Sequence, residues 1–220
     1  MIDVANLLIL FSEIIILSCI KQNSAFLETM NITRRQGLDL PRLLYTAEIM
    51  PDIVPLGQIE LLNVTFYNGQ ELEIGSMYSH RELKEPPHVY WSYNLSSIDF
   101  YTLSIVNLDD FISKLETRLQ WHVWLVGNIP KNRIELGDPL IEFQAPVETK
   151  DKRFRTQHRV AIFVWRQPKG KLIKYQGPIL TSSLVFFFCS DHRWNYTIQS
   201  FMKKYRLGIP YAATYFMMNE

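Results

Sequence analysis

The chain has two cysteines and almost no net charge, and each of these features excludes a class of protein. Cys19 and Cys189 are the only cysteines in 220 residues, so there is no disulfide framework. Basic residues exceed acidic residues by one, 23 against 22. Proteins that bind nucleic acid need a clustered basic excess to contact phosphates. We therefore expect no nucleic acid partner unless the protein belongs to a ribosome.

Motifs of the common enzyme classes are also missing. The sequence contains no Gly-x-Ser-x-Gly elbow, P-loop, dinucleotide fingerprint or His-Glu-x-x-His pair. The five histidines are scattered, and none stands at the i, i+4 spacing of a helical metal pair. Asp109 and Asp110 are adjacent, but neighbouring carboxylates at a strand end are usually solvated or capping. We therefore predict no catalytic residue, no metal site and no cofactor.

The longest apolar run lies at the N-terminus and is too short to span a bilayer comfortably. It extends from Leu7 to Ile20 and is interrupted by two serines and a glutamate. A run of this length suits the core of a signal peptide, although no lysine or arginine precedes it. We predict that residues 1–25 form a signal peptide or, alternatively, an N-terminal apolar helix, and that residues 26–220 form a single domain.

Four sequences match the acceptor pattern for N-linked glycosylation, where chance would give about one. They place acceptor side chains at Asn31, Asn63, Asn94 and Asn195. The excess of acceptors and the N-terminal apolar run both favour a secreted glycoprotein. A cytoplasmic or mitochondrial location is the alternative.

The rest of the chain has the pattern of a mainly β protein. A hydrophobic content of 47% is enough for one substantial core. Alternating and β-branched stretches predict strands at residues 58–66, 70–74, 88–93, 100–106, 122–127, 159–166 and 212–218. Asn68-Gly69 predicts a hairpin turn between the first two strands. We expect a mostly antiparallel fold with sheets packed face to face.

Helix signals are sparse. One short helix is predicted around Leu40 to Ala47. A second is predicted from Asn195 to Tyr205, because basic residues lie near its end and Gly208 follows as a C-cap signal. Both helices would be peripheral to the sheets.

A series of segments resembles the phosphatidylethanolamine-binding protein family, in the family's order and spacing. It covers roughly residues 45–218 and comprises Asp52–Pro55, Val89–Trp91, Phe100–Leu103, Asn107–Asp110, Trp121–Pro130, Gln157–Arg159, Ser190–Arg193 and Phe201–Tyr205. The resemblance implies a large central antiparallel sheet packed on a smaller sheet, with a few peripheral helices. It also implies a small anion pocket for phosphate-like head groups.

The residues at the positions of this family pocket are largely changed. The family's Asp-Pro-Asp-x-Pro loop reads Asn107 to Phe111 here, and the second histidine of its Trp-His-His start is Val123. Its Gly-Pro turn is Ala145-Pro146, and its Gly-x-His-Arg-Tyr segment ends at Val160. The resemblance thus implies a degenerate ligand-binding set of Asn107, Asp109, Trp121, Val123, Pro146, His158 and Val160.

Strand alternation predicts which side chains share the pocket face. It places Trp121, Val123 and Leu125 on one face and His122, Trp124 and Val126 on the other, so His122 would point away from the pocket. Each hydrogen bond lost to a charged ligand weakens binding by about 1.5–3 kcal/mol. Losing a histidine and a tyrosine would weaken phosphate binding roughly 10²–10⁴-fold. An apolar or neutral ligand is therefore favoured over a bare phosphate.

These features predict a secreted, non-enzymatic binding protein with an altered or weakened head-group pocket. Its partner would be a phospholipid head group or a small apolar ligand, and any protein partner is unknown. One alternative is a structural protein of the same fold, such as a component of the mitochondrial large ribosomal subunit, to which residues 107–109 and 128–133 are similar. Another is a kinase or protease inhibitor acting through surface loops. Purely structural roles stay open for three of these residues. Asp109 and Arg159 would hold the loop to the strand, and Trp121 would belong to the core.

Overall fold

The structure, a computed structural model, describes residues 39–94, 99–112, 117–146, 157–176, 193 and 197–219. The predictions for residues 1–25, Cys19, Asn31, Cys189 and Asn195 lie outside the described residues. The boundaries of the single domain predicted for residues 26–220 likewise stay a prediction. Among the described residues, no helix has the length and apolarity needed to cross a bilayer.

Two α-helices and nine strands are found in the described part of the chain. In chain order they are α1 (Leu40–Thr46), β1 (Glu60–Leu61), β2 (Asn63–Thr65), β3 (Met77–Ser79), β4 (His88–Tyr90), β5 (Phe100–Ile112), β6 (Thr117–Pro130), β7 (Asp138–Ile141), β8 (Gln157–Arg166), α2 (Ile198–Tyr205) and β9 (Ala212–Asn219). The strands form a large sheet and a small one, so the predicted mainly β architecture is confirmed.

The large sheet is built around three long strands. Strand β5 pairs antiparallel with β6 on one side and with β8 on the other. The sheet continues through β9 beside β8 and through β7 beside β6, again antiparallel. Strands β1 and β3 both pair with β9 in the parallel direction, so the sheet is mixed at this edge rather than antiparallel throughout. Strands β2 and β4 form the small sheet.

Both faces of the large sheet are buried, and strand β8 shows why. Its odd-numbered residues, such as Phe163 and Trp165, pack with residues of α1 and α2, among them Leu44 and Phe201. Its even-numbered residues, such as Ile162, pack with residues of the small sheet. A strand covered on both faces is apolar throughout instead of alternating with polar residues. We call the two sides of the large sheet the helix side and the small-sheet side.

Helix α2 begins and ends with local capping interactions. Thr197 and Ser200 exchange side-chain-to-backbone hydrogen bonds in a capping box at its first turn. At the other end Arg206 takes a left-handed conformation with φ 54°, and Leu207 N donates to Met202 O over 3.0 Å. The predicted helix is therefore present, but its left-handed cap residue is Arg206 instead of Gly208.

Two strand predictions before residue 75 are wrong. The strand predicted at residues 58–66 is divided between sheets, because Leu62 N still donates to Ala213 O of β9 whereas Val64 pairs with Val89 of β4. The return strand predicted at residues 70–74 is reduced to a single bridge between Thr65 and Glu71. The Asn68-Gly69 turn is confirmed, with Gly69 at a φ of 83° that favours glycine.

Candidate ligand-binding site

Three adjacent strands bring together most of the predicted pocket residues. Asn107 of β5 is the cross-strand partner of Val160 in β8 and of Trp121 in β6. Directly paired residues point to the same face of a sheet, and Val160 packs on the small-sheet side. Val123 packs on the same side, and His158 lies two residues before Val160 on its strand.

A buried hydrogen bond joins Asn107 to His158 across the two strands. Asn107 Nδ2 lies 2.9 Å from His158 Nδ1, and both side chains are only 1% exposed. The backbone N–H of Asp109 donates to Asn107 Oδ1 over 3.1 Å, which fixes the orientation of the amide. The amide nitrogen can only donate, so His158 Nδ1 accepts and the neutral imidazole carries its proton on Nε2.

Asp109 interacts with Arg159. Its Oδ1 lies 2.6 Å from Arg159 Nη2, and its Oδ2 accepts from Arg159 Nε over 2.7 Å and from the Arg159 backbone over 2.9 Å. The hydrogen bond that Arg159 donates to Asp109 is the largest cause of the raised pKa of Arg159. Arg159 Nη1 also donates to Ala47 O over 2.8 Å, so this pair ties β5 and β8 to the chain beyond α1. A direct ligand contact for Asp109 stays a prediction.

An extra residue in β6 changes the face on which later side chains lie. Val106 pairs with His122 and Ile105 pairs with Trp124, so Val123 is left between the two pairs as a bulge. Val106 packs on the helix side, and the His122 side chain therefore lies opposite Val123, as predicted.

The alternation predicted beyond the bulge is wrong. Trp124 and Val126 pack on the small-sheet side with Val123, whereas Leu125 packs on the helix side. One inserted residue shifts the two-residue period of a strand and moves every later side chain to the other face. The pocket face therefore carries Trp121, Val123 and Trp124, and Leu125 does not belong to it.

Arg193 is a component of this region for which no site role was predicted from the sequence. Its Nη1 donates to His122 O over 2.7 Å and to Val123 O over 3.4 Å, and its Nη2 donates to Glu142 O over 3.0 Å. The guanidinium lies 5.5 Å from the centre of the Trp121 ring. Burial lowers the pKa of Arg193 to about 10, so the side chain is still charged at neutral pH. Arg193 thus fixes the carbonyls of the β6 bulge.

The resulting site is mostly apolar. Val123 and Val160 are fully buried, and they flank the Asn107–His158 pair. Pro146 is buried as well, two residues beyond Gln144, whose backbone N–H donates to Val123 O over 2.9 Å. Among the described residues, no group of three or more His, Cys, Asp and Glu side chains could hold a metal ion. The arrangement is an apolar wall with one amide–imidazole pair, and the buried guanidinium of Arg193 lies beside it against Trp121.

Several known proteins are similar to the chain in sequence, and two of them are described here. A Drosophila melanogaster protein provisionally named odorant-binding protein A5 is 28% identical over 193 residues, which cover 87% of this chain and 86% of that protein. The 26 kDa secreted antigen of Toxocara canis is 28% identical over 172 residues, which cover 76% of this chain and 60% of that protein. No family model matches the chain.

The fold is similar to that of a solved structure. The phosphatidylethanolamine-binding protein of Plasmodium falciparum matches with a TM-score of 0.58 over 83% of this chain and 98% of that one, at 13% sequence identity. The chain therefore has the fold of the phosphatidylethanolamine-binding proteins, as its sequence resemblance implies.

Proposed function

We propose that the protein is a secreted, non-enzymatic binding protein that takes a small apolar or neutral ligand at the site around Asn107 and His158. The names of the two sequence relatives, an odorant-binding protein and a secreted antigen, support an extracellular role with small ligands. The composition of the site supports the preference for an uncharged ligand.

The observation that carries this proposal is the position of Val123 and Val160. Both lie on the small-sheet side beside the Asn107–His158 hydrogen bond, and neither side chain has a donor. A phosphate entering a small cleft needs several donors to replace its water shell. Asn107 already donates to His158, and the Nη groups of Arg193 donate to backbone carbonyls. An apolar ligand needs no such donors.

Residues 128–133, which are similar to a ribosomal subunit, have a role within this domain. Asn128 has a φ of 53°, its Nδ2 donates to Asp138 Oδ2 over 2.6 Å, and its Oδ1 accepts from Ile173 N over 2.8 Å. Gln167 Nε2 donates to the same oxygen over 2.8 Å. This network holds together β6, β7 and the segment after β8, so the stretch does not by itself favour a ribosomal protein.

The proposal is tested on the protein purified from the medium of secreting cells. Native mass spectrometry should detect a bound neutral ligand, or binding of added neutral apolar compounds, that is lost on Val160→Thr. The matched control is Val164→Thr, which places the same hydroxyl on the same side of β8 at a distance from the site. Equal binding by both variants, or retention of the protein inside the cell, would count against the proposal.

A further inference from the structure

We propose that a groove on the helix side of the large sheet is a second binding site, for an anionic amphiphile with one acyl chain, such as a long-chain carboxylate. The groove lies between residues 51–55 and the C-terminal half of α2. It does not include any residue of the site around Asn107, which faces the small-sheet side. The two sites are therefore independent of each other.

The groove has the size of a small-molecule site. Its volume is about 580 Å³, and its lining includes Pro51, Ile53, Pro55, Met202, Lys203 and Arg206. Pockets for drug-sized ligands range from about 300 to 1,000 Å³. Gln199 Nε2 donates to Asp52 O over 2.8 Å and ties the two walls together. This bond stabilises the groove without a ligand.

Apolar groups form most of the lining. Met202 and Ile53 are buried or half-buried, and the two prolines form the facing wall. Methionine is a flexible side chain that adapts to different apolar partners. Nearby, Ile209 is 45% exposed and packs directly on Gly57, where an added methyl group would come within 2.6 Å of its Cδ1. Apolar surface therefore extends from the groove onto the adjoining loops.

The charged residues of the groove lining are both cations. Lys203 and Arg206 are exposed, and residues 197–211 contain three basic side chains and no acidic one. A lysine near a helix C-terminus also interacts favourably with the helix dipole. The presence of an arginine at position 206 needs a different explanation, because a left-handed residue at a helix end is usually glycine or asparagine. A long cation at this position places positive charge at the end of an apolar groove, where it complements a carboxylate.

The test is a titration of the full chain, labelled in its methionine, isoleucine and valine methyl groups, with decanoate below its micellar concentration. We expect shifts of the Met202 and Ile53 methyl resonances, and affinity that rises about two- to four-fold for each added methylene. Nonyltrimethylammonium has the same alkyl chain with the opposite charge and should bind several-fold more weakly. Valine methyl resonances of Val123 and Val160 report separately on the other site.

Two charge variants and a matched control locate the head group. Lys203→Ala should weaken decanoate binding about two- to five-fold, and Arg206→Asn by a similar factor, since each removes a solvent-exposed ion pair. Asparagine keeps the left-handed backbone of Arg206 accessible. Lys204→Ala is the control, because it removes the same charge from the next residue along the chain. Lys204 Nζ lies near Gln176 O, and Lys204 is not part of the groove lining, so this variant should leave binding unchanged.

Three results would overturn the proposal. The first is decanoate binding that shifts only the Val123 and Val160 methyl resonances. The second is equal weakening by Lys204→Ala and Lys203→Ala, which would indicate diffuse charge attraction. The third is binding to vesicles of acidic phospholipid without any binding of monomeric decanoate, because the surface would then be a membrane contact and not a groove for a single chain.

Discussion

Arg159 joins Asp109 to the chain that leaves the first helix. The guanidinium contacts both carboxylate oxygens of Asp109, at 2.6 Å and 2.7 Å, and donates to Ala47 O at 2.8 Å. Two strands and a helix end therefore depend on one side chain on the helix side of the large sheet. This contact holds the irregular end of β5 after Asn107, where the register of its pairing with β6 shifts.

Replacing Asp109 with asparagine is expected to lower the free energy of unfolding by about 1–3 kcal/mol, because charge-assisted hydrogen bonds are replaced by neutral ones. Chemical denaturation measures the change. Glu48→Gln is the control: Glu48 lies 3.7 Å from Arg159, but its side chain is 78% exposed, so the loss should be below about 1 kcal/mol. Equal losses for the two variants would show that Asp109 does not hold this end of β5.

Replacing Arg193 with methionine is expected to destabilise the protein by about 3–5 kcal/mol, since buried carbonyls of β6 and of Glu142 lose their donors. The methyl resonances of Val123 should shift as the bulge relaxes. Arg193→Lys keeps the charge but lacks the planar fork, and it should recover only part of the stability. Full recovery by lysine would mean that charge alone, and not carbonyl geometry, matters at this position.

The protein should lose stability between pH 10 and about pH 12 through Tyr101. Burial is the largest cause that raises the pKa of Tyr101 from 10.0 to about 12, so the unfolded chain releases this proton first as the pH rises. The stabilisation is complete below pH 10 and is lost as the pH approaches 12. Tyr101→Phe should flatten this part of the stability curve, measured by denaturation at several pH values. Tyr45→Phe, at an exposed position, controls for the removal of a tyrosine. Identical stability curves for Tyr101→Phe and the unmodified protein would show that Tyr101 does not cause the loss.

Glycosylation distinguishes a secreted protein from a ribosomal one. Asn94 is exposed, and Asn63 stands half-buried on the outward face of the small sheet. Expression in a secreting eukaryotic cell followed by endoglycosidase treatment should show a mobility shift. Asn94→Gln should remove a larger part of the shift than Asn63→Gln, because its side chain is more accessible. No shift, together with mitochondrial fractionation, would favour the ribosomal alternative.

The central strands and their neighbours could be predicted because β-branched and aromatic residues dominate them. The resemblance also implied a shared pocket face for Asn107 and Val160, which the structure shows to be cross-strand partners. The bulge at Val123 could not be predicted: both faces of the large sheet are buried, so no polar side chain marks the change of face. The division of residues 58–66 between two sheets could not be predicted either, because the pairing of β1 depends on β9, which lies far along the chain.

Arg193 ends a segment that resembles the family, but the sequence did not indicate its role at the site. Its partners are backbone carbonyls of His122, Val123 and Glu142, each at least 51 residues away in sequence. A carbonyl is present at every residue, so the sequence does not indicate which ones an arginine will bind. The structure thus brings Asn107, Trp121 and Val160 together on three strands and adds Arg193 beside Trp121. That these residues bind a ligand stays a prediction.

The central claim is that valines at 123 and 160 make the site unsuited to phosphate. The direct measurement is a titration with O-phosphoethanolamine. In the unmodified protein it is followed at the methyl resonances of these two valines. In a Val123→His/Val160→Tyr variant it is followed at the ring resonances of the two substituted side chains. We expect the unmodified protein to bind at least about 100-fold more weakly than this variant. Val126→His, on the same side of β6, controls for a histidine placed elsewhere in the core. Tight binding by the unmodified protein, with Asn107 and His158 as contacts, would contradict the claim.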